Sequence, residues 1–273
     1  TTTTGGAAQV LAWLEKWLQT EWPELDVYLT SLTDHYSTIA VAGPNSRKVL
    51  QKIGCSIDLE RDSFPFMSVQ DAELGGLPVQ LFRVSFSGEL AFEMNIDSSY
   101  ALQMWQTVMD AGQEFDIAPY GTETMHVLRA EKGFVIVGQD TDGSVTPVDL
   151  GMNWLLSKDK DFLGKRSLSR PDCLRSGRKQ LVGLLSEDNK TVLSEGTQLI
   201  EDPKAEPPVP MFGHVTSSYF SACLGHPIAL ALVADGQSRK DETIFASLAD
   251  GTAVPVKIVS SVFYDAKGER QNV

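Results

Sequence analysis

Two turn-forming pairs, Gly75-Gly76 and Ser87-Gly88, divide one stretch of the chain into three strand-like runs. These runs are residues 68–74, 78–86 and 89–96. Glycine in a short connection adopts the positive φ angles that two-residue hairpin turns require. The stretch is therefore predicted to form an antiparallel meander, in which each strand pairs with its neighbour in sequence.

A strand and a helix precede the meander, and a second helix follows it. Residues 36–42 alternate like a strand, and Val49, Leu50 and Ile53 form the apolar stripe of the next helix. Residues 100–112 predict the helix that follows the meander. With the helices packed on one sheet face, the order β-α-β-β-β-α predicts an α+β sandwich related to ferredoxin-like units, and it disfavours a doubly wound parallel sheet.

The pattern changes in the second half of the chain. Residues 122–131 predict a helix that Gly133 ends, and residues 151–178 predict a connection between domains. Residues 179–273 hold short β-type runs separated by Gly, Asp and Pro, with hardly any helical periodicity. This part is predicted to form a small all-β barrel or sandwich.

The amino-terminal end has an unusual start for a folded domain. The chain begins with four threonines, Thr1–Thr4, and no Met, and this strand-like run has no partner before it. Residues 7–19 then show the spacing of one amphipathic helix. We expect the chain to be part of a longer protein.

Charge excludes several classes of partner. Acidic side chains outnumber Lys and Arg by 36 to 23, so the formal net charge is −13 at pH 7. Such a field repels nucleic acid and anionic lipid, and no apolar run reaches the length of a membrane span. We expect no nucleic acid or membrane partner and a cytoplasmic location. The three cysteines are widely spaced, which supports neither disulfides nor a zinc site.

No generic catalytic motif is present. The sequence contains no Walker loop, no GxGxxG at the start of a helix, no GxSxG and no HExxH. Residues 138–143 resemble a calcium loop but lack its further acidic positions and its bidentate Glu. We interpret them as an acidic surface loop and predict neither a catalytic nor a metal-binding residue in this chain.

The run 89–96 carries two carboxylates on one face. Glu89 and Glu93 alternate with apolar residues that face the other way. A carboxylate on a rigid strand can accept two parallel hydrogen bonds from a planar N–H/NH2 edge, as a pterin or a guanine presents. The alternative is that both glutamates belong to a solvated face.

Trp154 and the basic residues after it allow two interpretations. The indole could stack on an aromatic ligand, and Lys158, Lys160 and Lys165 could hold its carboxylates. An amphipathic connection between two domains explains the same residues. Composition does not separate the two.

Five segments, in this order, resemble the folate-binding family of the glycine-cleavage T-protein, or aminomethyltransferase. They are residues 36–44, 86–93, 119–133, 228–231 and 262–265. Within that family, residues 131–147 look most like the carboxy-terminal half of the alpha subunits of heterotetrameric sarcosine oxidases.

The resemblance implies a fold of ferredoxin-like folate-binding units followed by a carboxy-terminal β-barrel. It divides the chain into a remnant of the first folate-binding unit, a ferredoxin-like folate-binding domain, a connection and the barrel domain. These parts are residues 1–35, 36–150, 151–178 and 179–273. It also implies that the acidic residue that acts on the folate amine lies in an earlier segment.

The resemblance implies folate-binding roles for six residues of this sequence. Glu93 stands where the family binds the pteridine, and Phe86 stands where T-proteins usually have a Tyr that lines the pocket. Trp154 matches a tryptophan near the pocket, and Thr3 falls where T-proteins have an Asn. Met125 replaces an Arg that is able to pair with the folate tail, and Arg129 matches a second, more structural Arg of the same helix.

The function implied is that of a sarcosine oxidase alpha subunit. Sarcosine would be demethylated to glycine with hydrogen peroxide, and the one-carbon unit would pass to tetrahydrofolate as 5,10-methylenetetrahydrofolate. The beta, gamma and delta subunits would be its partners, and FAD, FMN and NAD would lie on the rest of the complex. Two alternatives stay open: a stand-alone aminomethyltransferase that acts on a lipoyl-bound aminomethyl group, and a non-catalytic assembly fragment.

Overall fold

The structure is a computed structural model that describes residues 2–206 and 208–273. It divides into two compact units, which are described separately. The first unit comprises residues 2–85, Glu89–Ala118 and Gln271–Val273. The second comprises Phe86–Gly88 and Pro119–Arg270. The domain boundaries inferred from the sequence resemblance stay predictions.

The first unit is a four-stranded antiparallel sheet with helices. Its helices are α1 (Ala7–Thr20), α2 (Ser46–Ile53) and α3 (Ala101–Gly112). Its strands are β1 (Tyr36–Ala42), β2 (Val69–Leu74), β3 (Leu77–Phe82) and β4 (Ala91–Asp97). The strand order is β1-β4-β3-β2. The predicted α+β class and the order β-α-β-β-β-α are confirmed.

The sheet's alternation decides which side chains form the core of the first unit. Along β4, Phe92, Met94 and Ile96 are fully buried, and they pack with apolar residues of α2 and α3 such as Leu50 and Met104. Each such side chain contributes about 1.5–3 kcal/mol when it leaves water. The intervening residues of β4 therefore lie on the opposite face, as predicted.

The predicted strand 78–86 is wrong in its second half, since β3 ends at Phe82. Arg83 is 1% exposed, and its guanidinium donates to the carbonyls of Phe64 at 2.6 Å and Val273 at 2.7 Å. These bonds turn the side chain into the interior. A loop of residues 83–90 then replaces the predicted tight turn, and β4 begins only at Ala91.

The strand predicted at the amino terminus is also wrong where the structure describes it. Thr4–Gly6 form a 3-10 helix, closed by a hydrogen bond from the Gly6 N–H to the Thr3 carbonyl at 3.0 Å. Thr1 lies outside the described residues. The following helix α1 has no buried residue, and Val10, Trp13 and Leu14 are exposed.

The second unit is dominated by a closed six-stranded barrel. Its helices are α4 (Thr122–Glu131) and the short α5 (Pro171–Leu174). Its strands are β5 (Lys179–Ser186), β6 (Gln198–Ile200), β7 (Gly213–Ser221), β8 (His226–Ala234), β9 (Thr243–Ser247) and β10 (Ala253–Val259). The strand order around the barrel is β10-β5-β8-β7-β6-β9, and all pairs are antiparallel.

The predicted all-β carboxy-terminal part is thus confirmed as a barrel. Strand β6 is not predicted from the sequence, because three residues are too few to show an alternating pattern. In the described part of the chain, no helix is both long and apolar enough to cross a membrane.

Candidate functional site

The six predicted folate-binding residues fall in both units of the structure. Thr3 and Glu93 belong to the first unit. The other four belong to the second unit: Phe86, Met125, Arg129 and Trp154.

Glu93 lies in the middle of β4, on the face turned away from the apolar core. Its backbone is paired with Ala40 of β1 and with Phe82 of β3, so strands flank it on both sides. The side chain is half-buried, and within the described residues its carboxylate has no hydrogen-bond or ion-pair partner. Burial raises the pKa of this carboxyl above its ordinary value.

The surroundings of Glu93 can accept a flat ligand. Ala40, its cross-strand neighbour, is exposed and has only a methyl side chain. Asn95 lies two residues further along the same face, where its side-chain oxygen accepts a hydrogen bond from Thr38. An unpartnered carboxylate on a rigid strand accepts two parallel hydrogen bonds from a planar N–H/NH2 edge. Binding of a pterin ring edge at Glu93 stays a prediction.

The raised pKa of Glu93 predicts a specific effect of pH on stability. A carboxyl with a higher pKa in the folded than in the unfolded state stabilises the fold below the unfolded value, and this contribution is lost as pH rises through the folded value. We expect Glu93→Gln to become progressively more stable than the wild type as pH rises from about 4 to 7.

Urea unfolding at several pH values measures this difference in the free energy of unfolding. Glu73→Gln is the matched control, because Glu73 is an exposed carboxylate of the same sheet and its removal leaves the contribution of Glu93 in place. A Glu93→Gln variant whose stability follows the wild type at every pH would contradict the expectation.

Three of the predicted residues in the second unit are at least partly exposed to solvent. The Phe86 side chain is 36% exposed, and Trp154 is 79% exposed on a short 3-10 helix, Asn153–Leu155. Met125 is half-buried on α4. The two rings offer apolar faces on which an aromatic ligand could stack. In the first unit, Thr3 is exposed. Contact of these four residues with folate stays a prediction.

Arg129 lies in the interior of the second unit. Its side chain is fully buried, and it donates to Asp140 at 2.5 Å, to the Phe134 carbonyl at 3.0 Å and to Ser217 at 2.6 Å. These bonds engage both terminal nitrogens of the guanidinium, while its buried Nε has no partner among the described residues. We propose that Arg129 acts by holding α4 against the barrel strand β7. The predicted folate contact of Arg129 is not needed for that role.

Asp140 corrects the interpretation of residues 138–143 as an acidic surface loop. Its carboxylate is fully buried. It accepts hydrogen bonds from the hydroxyls of Thr216 and Ser217, at 2.6 and 2.7 Å, and from the Ile136 N–H at 2.8 Å. No local pattern in the sequence signals this role, because Thr216 and Ser217 lie far away in the chain. Within the described residues, no group of His, Cys, Asp and Glu is placed to hold a metal ion.

The basic residues after Trp154 differ in what they bind. The Lys165 ammonium donates to the carbonyls of Lys160 at 2.8 Å and Lys158 at 3.4 Å, so its charge is turned back onto its own chain. Lys158 and Lys160 are exposed. Of the three candidate lysines, these two are available to an anionic group.

Comparisons with known proteins agree with this architecture. Residues 1–160 match the GCVT N-terminal domain, and residues 179–265 match the glycine cleavage T-protein C-terminal barrel domain. The crystal structure of the glycine cleavage system aminomethyltransferase T from Bartonella henselae covers 96% of this chain with a TM-score of 0.77. At 21% identity, and with 67% of that chain covered, this likeness shows a shared fold.

Curated relatives include proteins named sarcosine oxidase subunit alpha. The one from Corynebacterium sp. (strain U-96) is 53% identical over 99% of this chain, and the one from Rhizobium meliloti (strain 1021) is 39% identical over all of it. The chain spans 28% of the length of each. An aminomethyltransferase from Thermotoga neapolitana is 28% identical over 94% of this chain. Both domain matches and the shared fold lead to one assignment: the chain belongs to the glycine cleavage T-protein family.

Proposed function

We propose that this chain is the folate-binding part of a sarcosine oxidase alpha subunit. One observation of the structure carries the proposal: Glu93 is a half-buried carboxylate without a partner among the described residues, fixed at the centre of a sheet. The 53% identity to a sarcosine oxidase subunit alpha supports the choice of enzyme.

The overall reaction we propose for the complete complex conserves all atoms. Sarcosine, dioxygen and tetrahydrofolate give glycine, hydrogen peroxide and 5,10-methylenetetrahydrofolate. Tetrahydrofolate supplies the two amines that accept the one-carbon unit. FAD, FMN and NAD, with the beta, gamma and delta subunits, belong to the remaining parts of this proposal, as does a cytoplasmic location.

The residues of this chain contribute by binding and orientation. Glu93 fixes the rotation of the pterin ring in its own plane through hydrogen bonds to the ring edge, and the Phe86 ring offers a stacking surface that lacks the hydroxyl of a Tyr. Such positioning accelerates a reaction between an electrophile and a held amine without any covalent step on the protein. Trp154 and Thr3 complete the proposed contacts.

The folate tail needs cationic partners in a chain of net charge −13. Met125 cannot supply a charge where T-proteins have an Arg. We assign this role to Lys158 and Lys160, whose ammonium groups are exposed and not turned back onto the chain as that of Lys165 is.

Folinic acid titration by calorimetry tests the proposal. We expect Glu93→Gln to weaken binding by about 1.5–3 kcal/mol, because a charge-assisted hydrogen bond becomes a neutral one. In the complete enzyme, the same variant should still oxidise sarcosine and should release formaldehyde. The control is Glu73→Gln, which removes an exposed carboxylate from the same sheet. Unchanged affinity for folinic acid in Glu93→Gln would favour the alternative that Glu93 only belongs to a solvated face.

The same titration separates the alternatives. A wild-type chain that binds no folinic acid would favour the assembly fragment over a folate site. A stand-alone aminomethyltransferase is disfavoured, because identity is 53% to the sarcosine oxidase subunit and 28% to the aminomethyltransferase compared above.

A further inference from the structure

A pocket in the connection between α4 and the barrel is lined by arginine and serine side chains. Arg166, Ser167, Ser169 and Arg170 surround a surface pocket of about 480 Å³. They lie on and directly after the 3-10 helix Lys165–Ser169. Residues three apart are stacked along such a helix, so Arg166 and Ser169 lie on one face of it. Together with Ser167 and Arg170 they bring two arginines and two serines to the lining of one pocket.

The local backbone fixes this turn. The Ser169 hydroxyl donates to the Arg166 carbonyl at 2.8 Å, and the Arg170 N–H donates to the Ser167 carbonyl at 3.2 Å. Pro171 follows at the start of α5 and restricts the conformation of Arg170. The main chain of the four lining residues is therefore fixed before any ligand arrives.

The donors that line the pocket are unused. Among the described residues, neither the Arg166 nor the Arg170 guanidinium has a hydrogen-bond or ion-pair partner, and the Ser167 hydroxyl has none either. The next two arginines in the chain differ, because Arg175 and Arg178 both bind the Asp172 carboxylate. Two positive charges that line one pocket without a counter-charge repel each other, and an anion bound between them offsets that repulsion.

The segment around the pocket is positively charged, which favours the binding of an anion. Residues 151–178 contain seven Lys and Arg against three Asp, a net charge of +4 in a chain whose net charge is −13. An anion repelled by the protein as a whole is attracted to this segment.

The number of donors selects the kind of anion. A carboxylate has two oxygens, which a single guanidinium fork already matches. A phosphate dianion presents three acceptor oxygens, which two guanidiniums and a hydroxyl can all engage. We propose that Arg166, Arg170 and Ser167 bind a phosphate dianion, either free or as the terminal group of a small phosphomonoester.

Calorimetric titration of the full chain at one fixed ionic strength tests this proposal, with inorganic phosphate, glycerol 3-phosphate and glutarate as probes. We expect saturable binding of one phosphate per chain, with glutarate bound more weakly. Arg166→Ala and Arg170→Ala should each weaken binding about tenfold or more. Preference for glycerol 3-phosphate over phosphate would identify the phosphomonoester as the ligand form.

Arg61→Ala is the matched control, because it removes the same charge from an exposed arginine of the first unit. Its effect should stay below about twofold, as expected for an exposed, screened charge that does not line the pocket. Circular dichroism confirms that each variant is folded, and Arg166→Lys, which keeps the charge without the fork, should bind with intermediate affinity. Non-saturable binding, glutarate bound as tightly as phosphate, or equal effects of Arg61→Ala and Arg166→Ala would overturn the proposal.

Discussion

Arg129→Ala is expected to lower the free energy of unfolding by about 3–5 kcal/mol, because it leaves the Asp140 carboxylate buried without its counter-charge. Both side chains are fully buried, and the carboxylate keeps only its hydrogen bonds from hydroxyls and a backbone N–H. The loss should appear in urea unfolding followed by circular dichroism at neutral pH.

A double substitution separates the ion pair from the packing around it. Arg129→Ala combined with Asp140→Ala should cost less than the sum of the two single losses, because the second change removes the stranded charge. Arg175→Ala is the control for a surface pair, since Arg175 and Asp172 are both exposed. Its expected cost is at most about 1 kcal/mol. Equal losses of the free energy of unfolding in Arg129→Ala and Arg175→Ala would show that the buried pair contributes no more than the exposed pair.

Gly133→Ala, just after the end of α4, is expected to lower the free energy of unfolding. Gly133 has φ +67°, and a Cβ atom there would lie 2.5 Å from the Ser261 carbonyl oxygen. The left-handed conformation costs a non-glycine residue about 1–2 kcal/mol, and forcing extra volume into packed structure costs about 1–3 kcal/mol more. Urea unfolding should therefore show a loss of about 2–5 kcal/mol.

Gly225→Ala isolates the conformational part of this loss. Gly225 has φ +74° in the same unit, and open space surrounds the position of its Cβ. Only the cost of the left-handed conformation, about 1–2 kcal/mol, should remain. If the two variants lose the same free energy of unfolding, the close approach of Ser261 to Gly133 does not add to the cost of Gly133→Ala.

The close approach at Gly133 brings together two of the segments on which the family resemblance rests. The backbone N–H groups of Phe263 and Tyr264 both donate to the Glu131 carbonyl, at 2.9 and 3.0 Å. The chain after the last barrel strand is thereby tied to the end of α4. A side chain at position 133 would push these hydrogen bonds apart.

Local patterns in the sequence predicted the secondary structure well where periodicity and turn residues agree. The helix predicted at 122–131 is observed at Thr122–Glu131, and the alternation in 89–96 correctly placed Glu93 opposite the buried Phe92 and Met94. Here each residue's environment follows from its neighbours in sequence. The family resemblance, and not periodicity, selected Glu93 among the acidic residues of the sheet.

What the sequence did not reveal depends on contacts between distant segments. Asp140 is buried beside β7, where the Thr216 hydroxyl donates to it. The buried guanidinium of Arg83 donates to the carbonyls of Phe64 and Val273, which lie elsewhere in the chain. The partial burial of Glu93, and the raised pKa that results, likewise depend on the flanking strands. No window of neighbouring residues contains this information.

The two sheets differ in what they offer to another polypeptide. Each barrel strand is hydrogen-bonded on both sides, so another chain can reach the barrel only through side chains. In the four-stranded sheet, β1 and β2 are the outer strands, and β2 carries Asp71 and Glu73 on its exposed positions. Tyr36–Ala42 contains no charged residue, so β1 lacks the charges that discourage backbone pairing of an edge strand with another chain.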